Sequence, residues 1–223
     1  MQIIYDAIDS IIKILWNHIK SKGKLQYDVK PLTILPSSTT VLNELNRDYG
    51  LTIYILHGNP DGMYFRHQRI EPVVENRVII AISCWTAKEW GLNIKDKVRT
   101  YLGWCKPYIF TERYLEQTLK PIELLIYKLQ EGYSLGEIIL MILAIPYTLD
   151  SKIPPDIKKI VEHNINSMRL YGDRHVSKDR IYSIEREDTT KIFFKTYKGY
   201  INYLLDLFQK DIETVREKGG INE

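Results

Sequence analysis

The amino-acid sequence predicts an α+β fold in which a small antiparallel sheet of about three to four strands is covered by a larger set of helices. Two observations support this prediction. The strand signals are concentrated between Leu51 and Ser83, and apolar residues elsewhere recur at steps of three and four, the spacing of one helix face. We expect one domain over residues 1–223, with a division into 1–150 and 151–223 as the alternative.

The N-terminal segment has the apolar spacing of an amphipathic helix. The residues at this spacing are Ile4, Ile8, Ile11, Leu15 and Ile19. We therefore expect a first helix that begins near Ile3, ends near Gly23 and docks on the core. A second helix is expected from Ser37 through Asn46, because serine is a good N-cap residue.

Three segments have the composition of strands. Residues 51–56 are rich in β-branched and aromatic side chains, residues 59–62 form a turn, and residues 63–70 return as the second arm of a hairpin. The apolar run 77–83 is expected to be a central strand of the same antiparallel sheet. Residues 180–185 are expected to form a fourth strand or a loop.

From Thr86 onward the pattern predicts helices. They are expected at 93–102, from Pro121 to Gly132, at 134–146 behind a Ser-x-x-Glu capping box, at 155–169 behind two prolines, and as a long C-terminal helix over 189–218. The helices within 122–152 resemble a helix-turn-helix. The last of them is short and has few polar side chains for base edges, so a buried helical pair is the better interpretation.

Composition permits nucleic-acid binding without requiring it, because 31 basic residues face 28 acidic ones and the formal net charge is only +3. Isoleucine, lysine, glutamate and tyrosine are abundant and glutamine is scarce, which is typical of a thermophilic archaeon or its virus or plasmid. An AT-rich genome would give a similar bias.

A cytoplasmic, intracellular location is expected, with no membrane partner. The N-terminus lacks the pattern of a signal peptide, and the apolar stretch 138–149 is shorter than the ~20 residues that span a bilayer. The two cysteines, Cys84 and Cys105, do not form a disulfide framework, although a single bridge between them is an alternative.

The common signatures of enzymes and cofactor sites are absent from the sequence. It contains no HExxH, CxxC, GxxxxGK[ST], GxGxxG or GxSxG. We therefore expect no bound metal and no cofactor, and we assign no catalytic residue from the sequence. Whether the protein is an enzyme stays open, with the balance against it.

Two segments combine arginine, histidine and aromatic residues in a way that suits an anion or a stacked base. They are the hairpin arm 63–70 and the loop 171–180, where glycine lets backbone donors face a phosphate. The residues predicted to bind nucleic acid or an anion are Tyr64, Arg66, His67, Arg69, Arg174, His175, Lys178 and Arg180. The competing interpretation is that both segments are ordinary solvated surface.

The function favoured by these patterns is a non-catalytic binding or regulatory protein that acts on nucleic acid or a nucleoprotein partner. One alternative is a structural or assembly protein that self-associates through its terminal helices, for example as a homodimer through the C-terminal helix. The other is a metal-dependent hydrolase or nuclease with a scattered acidic site drawn from Asp61, Glu71 and Glu75.

Overall fold

The structure is a computed structural model that describes residues 1–33 and 50–177. The strands in this part of the chain are β1 (Gln2–Asp6), β2 (Asp28–Leu32), β3 (Leu51–Ile55), β4 (His57–Asn59), β5 (Gly62–Phe65), β6 (Gln68–Ile70), β7 (Val78–Ile82), β8 (Thr100–Trp104) and β9 (Met168–Gly172). The helices are α1 (Ser10–Ser21), α2 (Trp90–Ile94), α3 (Leu115–Gln130), α4 (Leu135–Thr148) and α5 (Pro155–Asn166), with a 3₁₀ turn (Glu112–Tyr114) before α3.

The main sheet has six strands in the order β2-β1-β3-β7-β8-β9. The first five are mutually parallel, and β9 is antiparallel to β8. The chain passes from β1 outward to β2 and then returns past β1 to β3. This reversal of direction is a topological switch point, and in open parallel sheets ligands bind at such a point, beside the carboxyl ends of the strands.

The predicted small antiparallel sheet is therefore wrong. The fold is α+β, but β3 and β7 are parallel neighbours in a large mixed sheet, with Ile53 beside Ile80. All five residues of β3 and all five of β7 are buried. Continuous apolar runs are typical of parallel strands that are covered on both faces, which explains why neither strand alternates between apolar and polar residues.

Different elements pack on the two faces of the main sheet. On one face the side chains of Tyr54, Ala81 and Tyr101 pack in one cluster with α2 and with a separate antiparallel sheet, β4-β5-β6. On the other face α3 packs against α1, α4 and α5, and the Trp104 indole donates to the Asn164 carbonyl on α5. The predicted hairpin exists, but its first arm is β4 and not β3.

Three segments that were expected to be helical, wholly or in part, are strands. Residues 2–6 form β1, and the predicted first helix begins only after Asp9 as α1. Residues 100–104 form β8 and residues 168–172 form β9. In each case pairing with a strand distant in sequence outweighs local spacing, because short apolar runs fit both periodicities.

Capping and proline signals in the sequence predicted the structure more reliably than the assignment of strand partners did. Ser134 and Glu137 form the predicted capping box of α4, and a proline begins α5. Pro121 lies inside α3, where it was expected to start a helix. The predicted elements at 37–46, 180–185 and 189–218 lie outside the described residues. Across the described chain, each helix is too short or too polar to cross a bilayer.

Candidate functional site

A histidine and a cysteine follow two neighbouring parallel strands at the same edge of the sheet. His57 comes two residues after β3, and Cys84 comes two residues after β7. The pairing of the two strands ends at Ile55 and Ile82, and His57 then begins β4 of the small sheet. The two residues thus follow neighbouring strands at the same edge of the main sheet.

Close packing of the two loops supports this placement. The Ser83 hydroxyl donates a hydrogen bond of 2.8 Å to the carbonyl of Leu56. Gly58 lies directly against the cysteine, because a β-carbon added to Gly58 would be 2.3 Å from the Cys84 carbonyl oxygen. Only glycine permits such an approach, so the loop after β3 is fitted to the loop after β7.

The backbone beside the cysteine has an uncommon conformation. Trp85 has a φ of 56°, in the left-handed region that large side chains rarely adopt. Such conformations are concentrated at functional sites, where a sharp turn after a strand presents a nucleophile. Cys84 itself is partly exposed.

A carboxylate holds the histidine ring. Asp9 lies just before α1, and its Oδ2 is 3.0 Å from Nε2 of His57. Its Oδ1 accepts hydrogen bonds of 2.9 Å from the amides of Ile11 and Ile12. Burial raises the pKa of the Asp9 carboxyl, but the amides and the His57 ring together outweigh that effect, so the net shift is downward.

The thiol lies in a partly desolvated position. Burial raises the pKa of the Cys84 thiol, and the backbone amide of Tyr108, directed at the sulfur, opposes that shift without cancelling it. The Tyr108 ring packs edge-on against Trp104, and its hydroxyl donates to the Thr118 carbonyl over 2.7 Å. The thiol is thus held as a neutral group that needs a neighbouring base to become a nucleophile.

The ladder of the small sheet leaves the Gly58 amide outside its hydrogen bonds. The Asn59–Gly62 pair closes a two-residue turn, so alternation leaves the Gly58–Met63 pair without mutual hydrogen bonds, and the Gly58 amide points away from β5.

The predicted hairpin residues lie on the small sheet. Tyr64 donates to Asp61 over 2.6 Å, and Arg69 pairs with Glu71 at 3.5 Å. Arg66 and His67 are exposed and form the turn between β5 and β6, with φ of 47° and 67°. The turn interrupts the alternation that the sequence predicted for this arm.

The predicted loop residues are only partly described. Arg174 donates to the exposed His175 ring over 3.3 Å, while Lys178 and Arg180 lie outside the described residues. Within residues 1–33 and 50–177, no hydrogen bond or ion pair joins this loop to the hairpin. Binding of nucleic acid or an anion by these residues stays a prediction.

The predicted acidic site is dispersed. Asp61 and Glu71 are engaged with different partners, and Glu75 is exposed. In the described part of the chain, no three histidine, cysteine, aspartate or glutamate side chains are grouped as metal ligands. Cys84 and Cys105 are free thiols.

Sequence reasoning missed Asp9, His57, Gly58 and Cys84. A signal was present: one apolar strand is followed by His-Gly and another by Ser-Cys, 27 positions later. It was not used because the two strands were assigned to an antiparallel sheet, which would not bring their carboxyl ends together. A parallel assignment would have placed the pair at one edge.

Comparison of the sequence with models of known protein families and with curated proteins gave no match.

Proposed function

We propose that the protein is a cysteine hydrolase that cleaves amide bonds in peptides through a covalent acyl intermediate on Cys84. The observation that supports this most is the close packing of Gly58, the residue after His57, against the backbone of Cys84 at the carboxyl edge of the sheet. A nucleophile beside a base that is itself held by a third group is the arrangement of nucleophilic catalysis.

The reaction follows from these groups. His57 takes the proton of the Cys84 thiol as the sulfur attacks the substrate carbonyl carbon. The tetrahedral intermediate collapses as His57 donates that proton to the leaving amine, and a thioester remains. His57 then removes a proton from water, which attacks the thioester and releases the acid and the thiol.

Backbone donors stabilise the intermediate. The amides of Gly58 and Cys84 are fixed by the packing of their loops, so they can receive the oxyanion without rearrangement. Loss of one such donor typically slows acyl transfer by about 10²–10³-fold.

An extended peptide suits the surroundings of the thiol. The His57 side chain is 51% exposed, so the reactive groups lie at a rim and not at the end of a tunnel. Trp85 and Ile109 are exposed apolar residues adjacent in sequence to Cys84 and Tyr108. They offer a surface for an apolar side chain next to the scissile bond.

The test is hydrolysis of a set of peptidyl aminocoumarin amides that varies the residue at the acyl position. Cys84→Ala and His57→Ala should lower turnover by at least about a thousandfold, because nucleophile and base act as a unit. Cys105→Ala and His67→Ala are matched controls and should retain turnover, since neither residue belongs to the proposed site.

Labelling gives an independent readout. A peptidyl acyloxymethyl ketone should modify the parent and the Cys105→Ala protein at one residue, and mass spectrometry should place the label on Cys84. Hydrolysis that survives Cys84→Ala would contradict the proposal.

A further inference from the structure

We infer that His163 of α5 positions the sulfur of Cys84 through a single peptide group, the one between Pro107 and Tyr108, by holding its carbonyl so that its amide meets the sulfur. His163 is a positioning residue, because it acts on the sulfur through this peptide. The role rests on the proposed function, since it concerns the same nucleophile, but it is measurable on the thiol alone.

The carbonyl of the peptide is bonded from α5. Nε2 of His163 lies 3.0 Å from the carbonyl oxygen of Pro107. A carbonyl oxygen can only accept a hydrogen bond, so Nε2 carries a proton and donates it. The imidazole is half-buried, and this contact therefore ties a ring of limited mobility to the loop after β8.

The peptide transmits this contact to its opposite side. The bond between Pro107 and Tyr108 is trans, and in a planar trans peptide the carbonyl and the amide point in opposite directions. Because α5 holds the carbonyl, the Tyr108 amide points away from that helix. This amide is the donor that is directed at the sulfur of Cys84. Contacts on both sides of one rigid plane thus define the orientation of the donor.

Further contacts fix the loop that contains the peptide. Asn164, the residue after His163, accepts the amide of Ile109 over 2.8 Å and donates to its carbonyl over 2.6 Å. The Tyr108 hydroxyl donates to the Thr118 carbonyl of α3 over 2.7 Å. These contacts fix the position of the loop, and the contact from His163 sets the rotation of the peptide within it.

The chemical consequence concerns the thiolate of Cys84. A hydrogen bond to an ionised acceptor is stronger than one to its neutral form, so the Tyr108 amide stabilises the thiolate more than the thiol. Burial raises the pKa of the thiol, and the amide opposes that rise. A peptide that rotates away from the sulfur would raise the pKa further, so less thiolate would be present at neutral pH.

The test compares two substitutions of His163 in a Cys105→Ala background, with alkylation of Cys84 by iodoacetamide measured against pH. His163→Leu has no donor, whereas the side-chain amide in His163→Gln can still donate to the Pro107 carbonyl. Both substitutions remove the titratable imidazole. The titratable side chains of the loops after β3, β7 and β8 are otherwise the same in all proteins compared: His57, Lys88, Glu89, Lys106 and Tyr108.

Alkylation of His163→Leu at pH 7 should be about three- to tenfold slower, with its midpoint at higher pH, because the thiolate loses an oriented donor. His163→Gln should keep the profile of the Cys105→Ala protein. His175→Leu, which replaces an exposed histidine, is the matched control and should also keep it. An unchanged profile in His163→Leu overturns the inference. An equal shift in His163→Leu and His163→Gln also overturns it, because charge or packing would then explain the effect.

NMR of the tyrosine amides gives a second readout that needs no change at His163. In the Cys105→Ala protein the Tyr108 amide proton should move downfield as Cys84 ionises, and it should not move in a Cys84→Ala, Cys105→Ala protein. A Tyr108 amide that does not respond to the titration overturns the inference. Neither readout requires hydrolysis, so peptide cleavage that survives Cys84→Ala contradicts the proposed function and leaves the positioning of the sulfur intact.

Discussion

The loops that follow β7 and β8 leave neighbouring parallel strands at the same edge of the sheet, and each contains a cysteine within two residues of its strand. Their environments differ. Cys84 follows Ser83, precedes a residue with positive φ and lies against Gly58. Cys105 follows β8 directly, its amide donates to the Ser167 carbonyl over 2.8 Å, and its side chain packs against the apolar cluster beneath the small sheet.

The difference amounts to one residue of register. Extending the pairing of β7 with β8 brings Cys105 beside Ser83, so Cys105 and Cys84 have opposite parity. The Cys105 side chain packs against the apolar cluster, whereas the Tyr108 amide is directed at the sulfur of Cys84. The same residue type is therefore a candidate nucleophile in one loop and a packing residue in the other.

The largest loss of turnover is expected from Gly58→Ala, which tests whether the Cys84 loop has the chemical role that sets it apart from the Cys105 loop. The added β-carbon would meet the Cys84 carbonyl at 2.3 Å, so the two loops must separate and the oxyanion donors with them. Turnover of the best aminocoumarin substrate should fall by about 10²-fold or more. Gly23→Ala is the control, because its β-carbon would lie 3.4 Å from the Tyr127 ring; equal losses in both variants would contradict a specific role for Gly58.

A substitution that alters the loop after β8 should have a smaller effect, and the effect should be on stability. Asn164 is buried and bonds both the amide and the carbonyl of Ile109, over 2.8 Å and 2.6 Å. Asn164→Ala should lower the free energy of unfolding by about 1–3 kcal/mol, since the amide and the carbonyl of Ile109 lose their part-buried hydrogen bonds to the side chain. Denaturant titration measures this loss.

The matched control for Asn164→Ala is Asn166→Ala, which alters an exposed asparagine of the same helix and should be close to neutral. Turnover per folded molecule should keep its order of magnitude in both. A loss of turnover without a loss of stability would show that the β8 loop has a chemical role as well.

The smallest effect concerns the thiol itself. Burial raises the pKa of the Cys84 thiol, so in a His57→Ala, Cys105→Ala protein its thiolate should form only above the ordinary value of about 8.5. Because the thiolate is the reactive form, alkylation by iodoacetamide should have a higher pH midpoint than alkylation of N-acetylcysteine. A midpoint below that reference would contradict the desolvated position assigned to the sulfur.

Local chemistry made part of this fold predictable. The 59–62 turn, the Ser134 cap and the buried runs of β3 and β7 were all correctly located, because each depends on neighbouring residues. The pairing of β3 with β7 was not, since strand direction is set by contacts across the chain. Residues 2–6 were assigned to a helix because Ile4 falls in the helical spacing of the residues that follow.

The candidate site was less accessible to sequence reasoning than the fold. Asp9, His57 and Cys84 follow three different strands of the main sheet, and none belongs to a contiguous motif. Only the parallel order of β1, β3 and β7 brings the three loops to one edge. The arginines and the histidine of the arm 63–70 were more conspicuous as residue types, yet the ion pair of Arg69 is with the nearby Glu71.

The left-handed turn at Trp85 has a practical consequence for spectroscopy. All four tryptophans lie in the described residues; Trp85 is 38% exposed, whereas Trp16, Trp90 and Trp104 are 5% exposed or less. A water-soluble quencher such as iodide should therefore act mainly on the indole next to Cys84. The protein's own fluorescence, recorded with and without iodide, should report occupancy of that thiol in real time without any attached dye.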